Sequence, residues 1–535
     1  MKQYPNNQKI QENGCFILQK FARENEDNRN KLRNLKGIKC VIKAMNNFQN
    51  NQDIQKYGCG ALWIIAANNN ENRIEIRNLK GIEPIIKSMN NFPNNQDIQK
   101  QGCGALWNIA VNDGIEPIIK AMNNFQNNQD IQKQGCGALW SIAYNDKENK
   151  IEIRNLKGIE PIIKAMNNFQ NNQDIQETRM WSFRNIAVND ENKIEIRNLK
   201  GIEPIIKSMN NFQNNQDIQY QGCGALWIIA VNDENRIEIR NLKGIEHIIK
   251  AMNNFQNNQD IQYKGCRALW VISFNDNENK IEIRNLKGIE PIIKAMNNFQ
   301  NNQDIQENGC GALGDIANNN ENKIEIRKLK GIEPIIKAMN NFQNNQDIQY
   351  KGCRALWNIA VNNENKIEIR NLKGIEPIIK AMNNFPNNQD IQYKGCGALW
   401  NIAVNNENKI EIRNLKGIEP IIKAMNNFQN NQDIQYKGCG ALWNIAVNNE
   451  NKIEIRNLKG IEPIIKAMNN FPNNQNIQKK GCRALWNIAV NNNENQIEIR
   501  NFNGIESIKK AMNNFPNNQK IQEKGKWALE KLQKN

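Results

Sequence analysis

Asparagines recur at fixed places along the chain, and their side chains offer hydrogen bonding rather than catalysis. An asparagine follows the phrase ALW at a constant spacing of 43 residues in the best run, Asn358, Asn401, Asn444 and Asn487. A carboxamide carries both donors and an acceptor, so it can pair with both polar groups of a peptide bond. The spacing therefore places one such amide in each of these copies.

Cationic and aromatic residues stand at constant distances before these asparagines. Lysine comes seven residues earlier and tyrosine eight residues earlier in most of these copies, and arginine comes four residues earlier in two of them. These residues are Lys351, Lys394, Lys437, Lys480, Tyr350, Tyr393, Tyr436, Arg354 and Arg483. Tyrosine and arginine are favoured anchors in binding surfaces. We therefore expect this surface to suit a segment with acidic residues.

Catalytic chemistry has little support in the sequence. The chain has six serines, one threonine and one histidine, His247, and it has no phosphate-binding loop. It has no CxxC pair, and a single histidine gives no cluster of metal ligands. We expect a protein that is not an enzyme and that uses neither a cofactor nor a metal.

These residues lie in an internal repeat that covers almost the whole chain. The glycine of GIEPIIKAM recurs every 43 or 44 residues, with one spacing of 33. Its copies are Gly37, Gly81, Gly114, Gly158, Gly201, Gly244, Gly288, Gly331, Gly374, Gly417, Gly460 and Gly504. A period of this length is typical of helical solenoid units or of four-stranded propeller blades.

The pattern inside one repeat favours helical solenoid units over propeller blades. NKIEIRNLKG predicts a short helix, H1, ended by Gly417 in the left-handed conformation. IEPIIKAMNNF predicts a second helix, H2, with Pro420 in its first turn and apolar residues on one face. The longer QDIQYKGCGALWNIA predicts a third helix, H3, with an asparagine cap and Asp433 in its first turn. No copy alternates as strands do, so we predict an all-α solenoid.

The phrases GIEPIIKAM, DIQ, GALWNIA and NKIEI resemble the armadillo repeat family over nearly the whole chain. The resemblance implies a right-handed superhelix of three-helix repeats, with H3 helices lining a concave groove for extended peptides. In that family the asparagine after ALW bonds the peptide backbone, which implies this role for Asn108, Asn185, Asn358, Asn401, Asn444 and Asn487. The basic groove is closer to β-catenin-like members. Only Trp181 with Asn185 has the Trp–Asn pair of importin-alpha-like members.

The repeat pattern also predicts the domain organisation. Residues 1–36 form a partial N-terminal repeat with H3 only, in which Met1 takes the place of the H2 methionine. Residues 37–503 form the array, and its short unit lacks H1 near 111–115. We expect this loss to leave a packing defect or a bend. Residues 504–535 form a capping repeat with Lys509, Glu530 and Lys531 at normally apolar or amide positions. The missing first helices indicate either a minimal cap or, as we favour, a natural protein that extends upstream.

Cysteine usage and net charge limit the cellular compartment and the kind of partner that we expect. Eleven of the 12 cysteines lie near the middle of H3, where we expect small, buried, reduced side chains. Reduced thiols predict an intracellular protein in the cytoplasm, or in the nucleus. The net charge of +16 comes from a surplus of about one per repeat. No apolar stretch reaches the roughly 18 residues of a membrane span, so we expect no membrane insertion.

The angular positions of residues around H3 complete the functional hypothesis. At 100° per residue, the asparagine, lysine and tyrosine positions lie opposite the core, and the tryptophan before each asparagine lies at the boundary. We expect these tryptophans to pack between repeats. The leading hypothesis is a scaffold or adaptor that binds extended, acidic segments of other proteins. The alternatives are nucleic-acid binding by the same surface, and a repeat region of a larger signalling protein.

Overall fold

The structure, a computed structural model, describes residues 1–109, 112–144 and 146–533. Its regular elements in these ranges are 36 α-helices and one short 3-10 turn, with no β-strand among them. None of these described helices combines the length and the apolar character that a bilayer span requires. The prediction of an all-α solenoid is confirmed. The chain divides into two compact units, Met1–Phe255 and Gln256–Asn535.

Unit 1 contains the first seventeen helices. Its H3 helices are α1, α4, α7, α9, α12 and α15, and each packs directly on the next. The bounds are α1 Gln8–Glu24, α2 Glu26–Asn34, α3 Gly37–Asn47, α4 Gln52–Ala66, α5 Asn70–Asn78, α6 Ile82–Asn91, α7 Gln96–Ile109, α8 Ile115–Asn124, α9 Gln129–Ala143, α10 Lys147–Asn155, α11 Ile159–Asn168, α12 Gln173–Ile186, α13 Asp190–Asn198, α14 Ile202–Asn211, α15 Gln216–Ile229, α16 Asp233–Asn241 and α17 Gly244–Asn254.

Unit 2 contains the remaining helices. Its H3 helices are α18, α21, α24, α27, α30, α33 and α36, stacked in the same way. The bounds are α18 Gln259–Ser273, α19 Asn277–Asn285, α20 Ile289–Asn298, α21 Gln303–Ile316, α22 Asn320–Lys328, α23 Ile332–Asn341, α24 Gln346–Ile359, α25 Asn363–Asn371, α26 Ile375–Asn384, α27 Gln389–Ile402, α28 Asn406–Asn414, α29 Ile418–Asn427, α30 Gln432–Ile445, α31 Asn449–Asn457, α32 Ile461–Asn470, α33 Gln475–Ala489, α34 Asn493–Asn501, α35 Gly504–Asn514 and α36 Gln519–Gln533.

The core of each repeat is the inner face of H3. In α30 the side chains of Cys439, Leu442 and Ile445 are completely buried. Eleven cysteines are buried in this way in the described residues, as the sequence predicts, and Cys40 on H2 is half-buried. Burial raises the pKa of Cys439 to about 12. These thiols therefore stay protonated and serve as small apolar groups.

The turn between H1 and H2 corrects one prediction. The left-handed residue after α28 is Lys416, with φ 57°, whereas Gly417 has φ −76°. The amide of Gly417 donates to the Ile412 carbonyl at 2.7 Å, which closes the helix end. A Cβ on Gly417 would lie 3.0 Å from that carbonyl oxygen and 2.7 Å from Ile379 Cδ1. Glycine is therefore required for close packing rather than for a positive φ.

Structural hydrogen bonds explain why the chain is rich in amides. In one repeat, Asn408 Nδ2 donates to the Ile402 carbonyl at 3.0 Å, and Asn427 Nδ2 donates to the Pro386 carbonyl at 3.2 Å. Gln435 Nε2 donates to the Met425 and Phe428 carbonyls at 2.7 and 2.9 Å. The same bonds recur in most repeats, so much of the amide content holds helix ends and loops together.

The repeat without H1 closes its gap locally. A 3-10 turn, Asn112–Gly114, stands where H1 would begin, and Val111 lies outside the described residues. Helix α7 still packs on α9, and α6 on α8. Asn149 Nδ2 donates to Asn112 Oδ1 at 2.9 Å, where the equivalent Asn192 donates to the Lys150 carbonyl. The H2 and H3 stacks thus continue, and the expected defect is confined to the H1 layer.

The two ends follow the sequence alignment. Gln11 Nε2 donates to the Met1 and Tyr4 carbonyls at 3.0 and 2.8 Å, as the other H3 glutamines do to H2. Met1 therefore takes the place that the H2 methionine has in other repeats. At the other end, the side chains of Lys509, Glu530 and Lys531 are exposed.

Candidate peptide-binding surface

Lysines of unit 2 lie against the tryptophans of neighbouring repeats. Lys437 Nζ is 4.6 Å from the ring centroid of Trp357 and 4.9 Å from that of Trp400. Lys480 Nζ, one repeat further, is 4.3 Å from Trp400 and 4.1 Å from Trp443. These are cation–π distances. The set Lys394, Lys437, Lys480, Trp357, Trp400 and Trp443 is called the lysine–tryptophan ladder below.

The tryptophans are fixed by the next H3 helix. A Cβ on Gly397 would lie 3.1 Å from Trp357 Cε2, and one on Gly440 would lie 2.9 Å from Trp400 Cδ2. Glycine four residues before the asparagine therefore makes room for the indole of the preceding repeat. The prediction that the tryptophans pack between repeats is confirmed, and their position gives each lysine a rigid aromatic surface.

The ladder lysines have no acidic partner among the described residues, and burial disfavours their charged form. None of the three forms an ion pair among the described residues, whereas Lys423 on H2 pairs with Glu419 at 2.8 Å. Burial, with Arg354 as a second cause, lowers the pKa of Lys394 to about 8. Burial and the nearby Arg483 lower the pKa of Lys480 to about 7. Burial also lowers the pKa of Lys437. An added anion would therefore be favoured here.

Tyrosines border the ladder. The ring of Tyr393 meets Trp357 edge-on at 5.5 Å, and Tyr436 meets Trp400 at 5.2 Å. Both tyrosines are half-buried, so part of each ring remains open to a ligand. Tyr350 is also half-buried, but the preceding repeat has Gly314 in the tryptophan position. The stack of tyrosine on tryptophan is therefore absent at Tyr350.

The predicted asparagines bond to the preceding repeat. Asn401 Nδ2 donates to the Trp357 carbonyl at 3.1 Å, and Asn444 Nδ2 donates to the Trp400 carbonyl at 3.0 Å. Asn108, Asn358 and Asn487 make the same bond, at 2.9, 2.8 and 2.9 Å. Each amide thus ties two H3 helices together and keeps its oxygen for another partner. Asn185 differs, because its Nδ2 is buried without a partner.

Lys351 and Arg354 are neutralised inside the protein. Lys351 is paired with Glu307, and its Nζ lies 3.9 Å from the centroid of Trp270. Arg354 is paired with the buried Asp315, which also accepts a hydrogen bond from Trp270 Nε1 at 2.7 Å. Glu307 stands where other repeats have tyrosine or lysine, and Asp315 stands where they have asparagine. Lys351 and Arg354, both predicted to bind the ligand, are therefore paired with acidic residues of the protein itself. The sequence reasoning missed these two pairs.

The remaining predicted residues belong to different units. Arg483 stacks on Trp443 with its guanidinium carbon 4.7 Å from the ring centroid, so it extends the ladder. Trp181 belongs to unit 1, is 38% exposed and meets Trp140 edge-on at 5.1 Å. The structure brings together the predicted residues of α27, α30 and α33 in unit 2, whereas Asn108, Asn185 and Trp181 belong to unit 1.

Comparison with known proteins assigns the fold family. The family model of the LRRK2 ARM repeat matches residues 198–376 and 370–535, which together span more than half of the chain. The chain belongs to the armadillo repeat family. No curated protein shows significant similarity to it.

Two solved structures show the same armadillo fold. A chain from a study of how a phosphorylation switch controls the interaction between cadherin and beta-catenin has a TM-score of 0.71 and 13% identity. The match covers 84% of the present chain and 91% of the chain in that structure. An engineered protein has a TM-score of 0.68 and 24% identity, covering 79% of this chain and 99% of its own length. At these identities the likeness concerns the fold.

The armadillo repeats of unit 1 lack the unpaired lysines. The position seven residues before the asparagine is neutral throughout unit 1, at Asn13, Tyr57, Gln101, Gln134, Thr178 and Gln221. Three H3 lysines lie one residue earlier instead, and each pairs with an aspartate of the next H3. These pairs are Lys56–Asp97 at 3.1 Å, Lys100–Asp130 at 2.5 Å and Lys133–Asp174 at 2.8 Å. In unit 2 the same position is lysine in six of the seven H3 helices, and Asn308 is the exception.

Proposed function

We propose that this armadillo protein is a non-enzymatic scaffold that binds acidic, extended segments of other proteins on the lysine–tryptophan ladder. The observation that carries the proposal is the set of three lysines, Lys394, Lys437 and Lys480, which form no ion pair with any residue that the structure describes. A carboxylate beside each ammonium group would replace the hydration that burial has removed. The half-exposed tyrosines would cover the apolar part of the same segment.

Protein partners are favoured over nucleic acid by the arrangement of the rings. Single-stranded nucleic acid binds by stacking its bases on open aromatic faces. Here the indoles of Trp357, Trp400 and Trp443 are covered by lysines, and Tyr393 and Tyr436 stand edge-on to them. An armadillo-like neighbour from a study of cadherin and beta-catenin also supports a protein partner. Nucleic acid is the competing outcome of the test.

The experiment compares two triple variants of the full chain that lose the same charge. Lys394→Met, Lys437→Met and Lys480→Met remove the ladder cations. Lys380→Met, Lys423→Met and Lys466→Met remove three H2 cations of the same repeats, which pair with glutamates at 2.8 Å. Binding of a fluorescent acidic peptide is measured by anisotropy, with an oligonucleotide of equal charge as the second probe.

We expect the ladder variant to bind the acidic peptide about 100-fold more weakly, from about 1 kcal/mol for each charge-assisted contact. The H2 variant should stay within about threefold of the unmodified chain, because its charges are exposed and already paired. Equal losses in both variants would contradict the proposed site. Preferred binding of the oligonucleotide would replace the proposal by nucleic-acid binding.

A further inference from the structure

We infer that Cys136 of unit 1 is an oxidation-sensitive thiol, which hydrogen peroxide converts to a sulfenic acid that the guanidinium of Arg179 stabilises. The two residues belong to α9 and α12, so the inference does not depend on the binding function proposed for unit 2. It rests on a buried cation that has no acceptor and on the cysteine that lies beside it.

Arg179 stands where every other H3 helix has glycine. This position faces the H2 methionine, because a Cβ on the equivalent Gly222 would lie 2.5 Å from Met209 Cγ. Helix α12 accommodates the larger side chain by packing less closely on α11 than α15 packs on α14. Local opening costs least where packing is loose, so a molecule as small as peroxide can enter most easily here.

The guanidinium of Arg179 is completely buried. Its Nε, Nη1 and Nη2 atoms have no hydrogen-bond acceptor among the described residues. The ring centroid of Phe169 lies 5.6 Å from the guanidinium carbon, which is a cation–π distance but supplies no acceptor atom. A buried charge without a partner is strongly destabilising. The site therefore favours any group that brings an acceptor oxygen or a negative charge to these donors.

The thiol of Cys136 is the neighbour that can supply such an oxygen. Cys136 is completely buried, and the hydroxyl of Ser182, one turn after Arg179 on α12, donates to the Cys136 carbonyl at 2.9 Å. Burial raises the pKa of the Cys136 thiol, and Arg179 opposes this rise. Burial also raises the pKa of Cys223 to about 12, and no cation opposes it among the described residues. The reactive thiolate therefore forms more readily at Cys136 than without Arg179.

Hydrogen peroxide is the oxidant in the reaction. The sulfur attacks one peroxide oxygen, the O–O bond breaks, and the leaving hydroxide takes the thiol proton and becomes water. The sulfur loses two electrons, which the peroxide gains. The new oxygen on Cys136 then accepts hydrogen bonds from the guanidinium of Arg179. The same reaction at Cys223 would bury a new polar group without such a donor, so oxidation should stabilise one site and disrupt the other.

The test exposes the full chain to hydrogen peroxide, removes the excess with catalase and unfolds the chain in dimedone, which traps sulfenic acids. Mass spectrometry measures the rate at each cysteine, with the completely buried Cys223 and Cys439 as internal controls. Arg179→Met removes the charge and keeps a long side chain, and Arg179→Gly restores the residue of the other repeats. Cys136→Asp, which carries acceptor oxygens on the same Cβ, is compared with Cys223→Asp in urea unfolding.

We expect Cys136 to be oxidised at least about tenfold faster than the two control cysteines, and we expect both Arg179 variants to lose most of this difference. Cys136→Asp should keep a urea midpoint near that of the unmodified chain, whereas Cys223→Asp should lower it, as should Cys136→Asp combined with Arg179→Met. Equal oxidation of Cys136 and the controls, or a preference that persists in the Arg179 variants, would overturn the inference. An equal fall of the midpoint in both single aspartate variants would also overturn it.

Discussion

At the scale of the residue, local packing determines which amino acid can stand at each of the two positions that follow an H1 helix. A lysine takes the left-handed conformation after most H1 helices, and the glycine after it takes an ordinary one. The lysine points to solvent and can tolerate this strain, whereas a Cβ on the glycine would meet the backbone oxygen of the preceding helix. The glycine is therefore expected to be the more sensitive of the two positions.

Substitution at this turn should have opposite effects at adjacent residues. Gly417→Ala should destabilise its repeat by about 1–3 kcal/mol, because the added Cβ meets Ile412 and Ile379. Lys416→Gly should stabilise it by about 0.5–1 kcal/mol by removing the strain of a non-glycine residue at φ 57°. Hydrogen exchange of the amides of α28 and α29 measures both effects. A milder effect for Gly417→Ala than for Lys416→Gly would contradict this interpretation.

Lys480 should make stability depend on pH. Its folded-state pKa of about 7 lies below the ordinary value of 10.5, because burial and the cations Arg483, Lys479, Lys437 and Lys520 disfavour the charged form. The unfolded state therefore holds the proton between pH 7 and 10, and stability should rise across this window. Lys480→Met should flatten the rise in urea unfolding experiments. Lys466→Met, at a surface ion pair, should leave the slope unchanged.

At the scale of the element, neighbouring H3 helices are matched to each other. Where one H3 helix has tryptophan at the contact, the next H3 helix often has glycine. Helix α21 has Gly314 and Asp315 at this contact instead. In α24, Arg354 fills the space that an indole would occupy and pairs with Asp315. These three residues behave as one coupled substitution. A change to one of them should therefore be costly unless the others change with it.

Asp315→Ala should destabilise the α21–α24 contact by about 3–5 kcal/mol, because it leaves Arg354 with an uncompensated charge in a largely buried site. Chemical unfolding followed by hydrogen exchange at α21 and α24 would measure the loss. The double variant Asp315→Ala with Arg354→Ala should recover part of it. A single variant as stable as the unmodified chain would contradict the role of the pair.

The combination Glu307→Tyr, Gly314→Trp, Asp315→Asn and Arg354→Gly should restore the pattern of the other repeats and leave Lys351 without its acidic partner. It would also place an indole beside Lys394, as Trp357 lies beside Lys437. An acidic peptide with one further acidic residue should then bind roughly tenfold more tightly than the shorter peptide, as one more charged contact forms. Unchanged affinity for the longer peptide would show that the ladder does not set the length of the ligand.

At the scale of the whole molecule, the sequence predicts the fold well and the site only partly. The 43-residue period and the helical spacing are enough for three-helix repeats, because every copy states the same pattern. The pairings of Lys351 and Arg354 could not be read in the same way. They depend on Glu307 and Asp315, 44 and 39 residues earlier, whose side chains become neighbours only through the stacking of H3. The binding role of all the predicted residues stays a prediction.

The same spatial reasoning distinguishes the two units. In unit 1, Lys56, Lys100 and Lys133 pair with aspartates of the next repeat. In unit 2, Lys394, Lys437 and Lys480 lie against tryptophan rings instead. Lysine content alone therefore does not locate a site. The deciding feature is whether the stacking of H3 helices places a carboxylate beside each lysine. The central claim is that Lys394, Lys437 and Lys480 bind carboxylates of a ligand.

Lysine labelling of the full chain tests this claim most directly. An amine-reactive reagent is applied at pH 8 with and without a lysine-free, acetylated acidic peptide, and mass spectrometry measures the rate at each lysine. We expect the peptide to slow labelling of Lys394, Lys437 and Lys480 at least about tenfold, because it covers them and raises their pKa values. Lys380, Lys423 and Lys466 of the same repeats should react unchanged. Equal protection of both sets, or no protection of the ladder, would contradict the account.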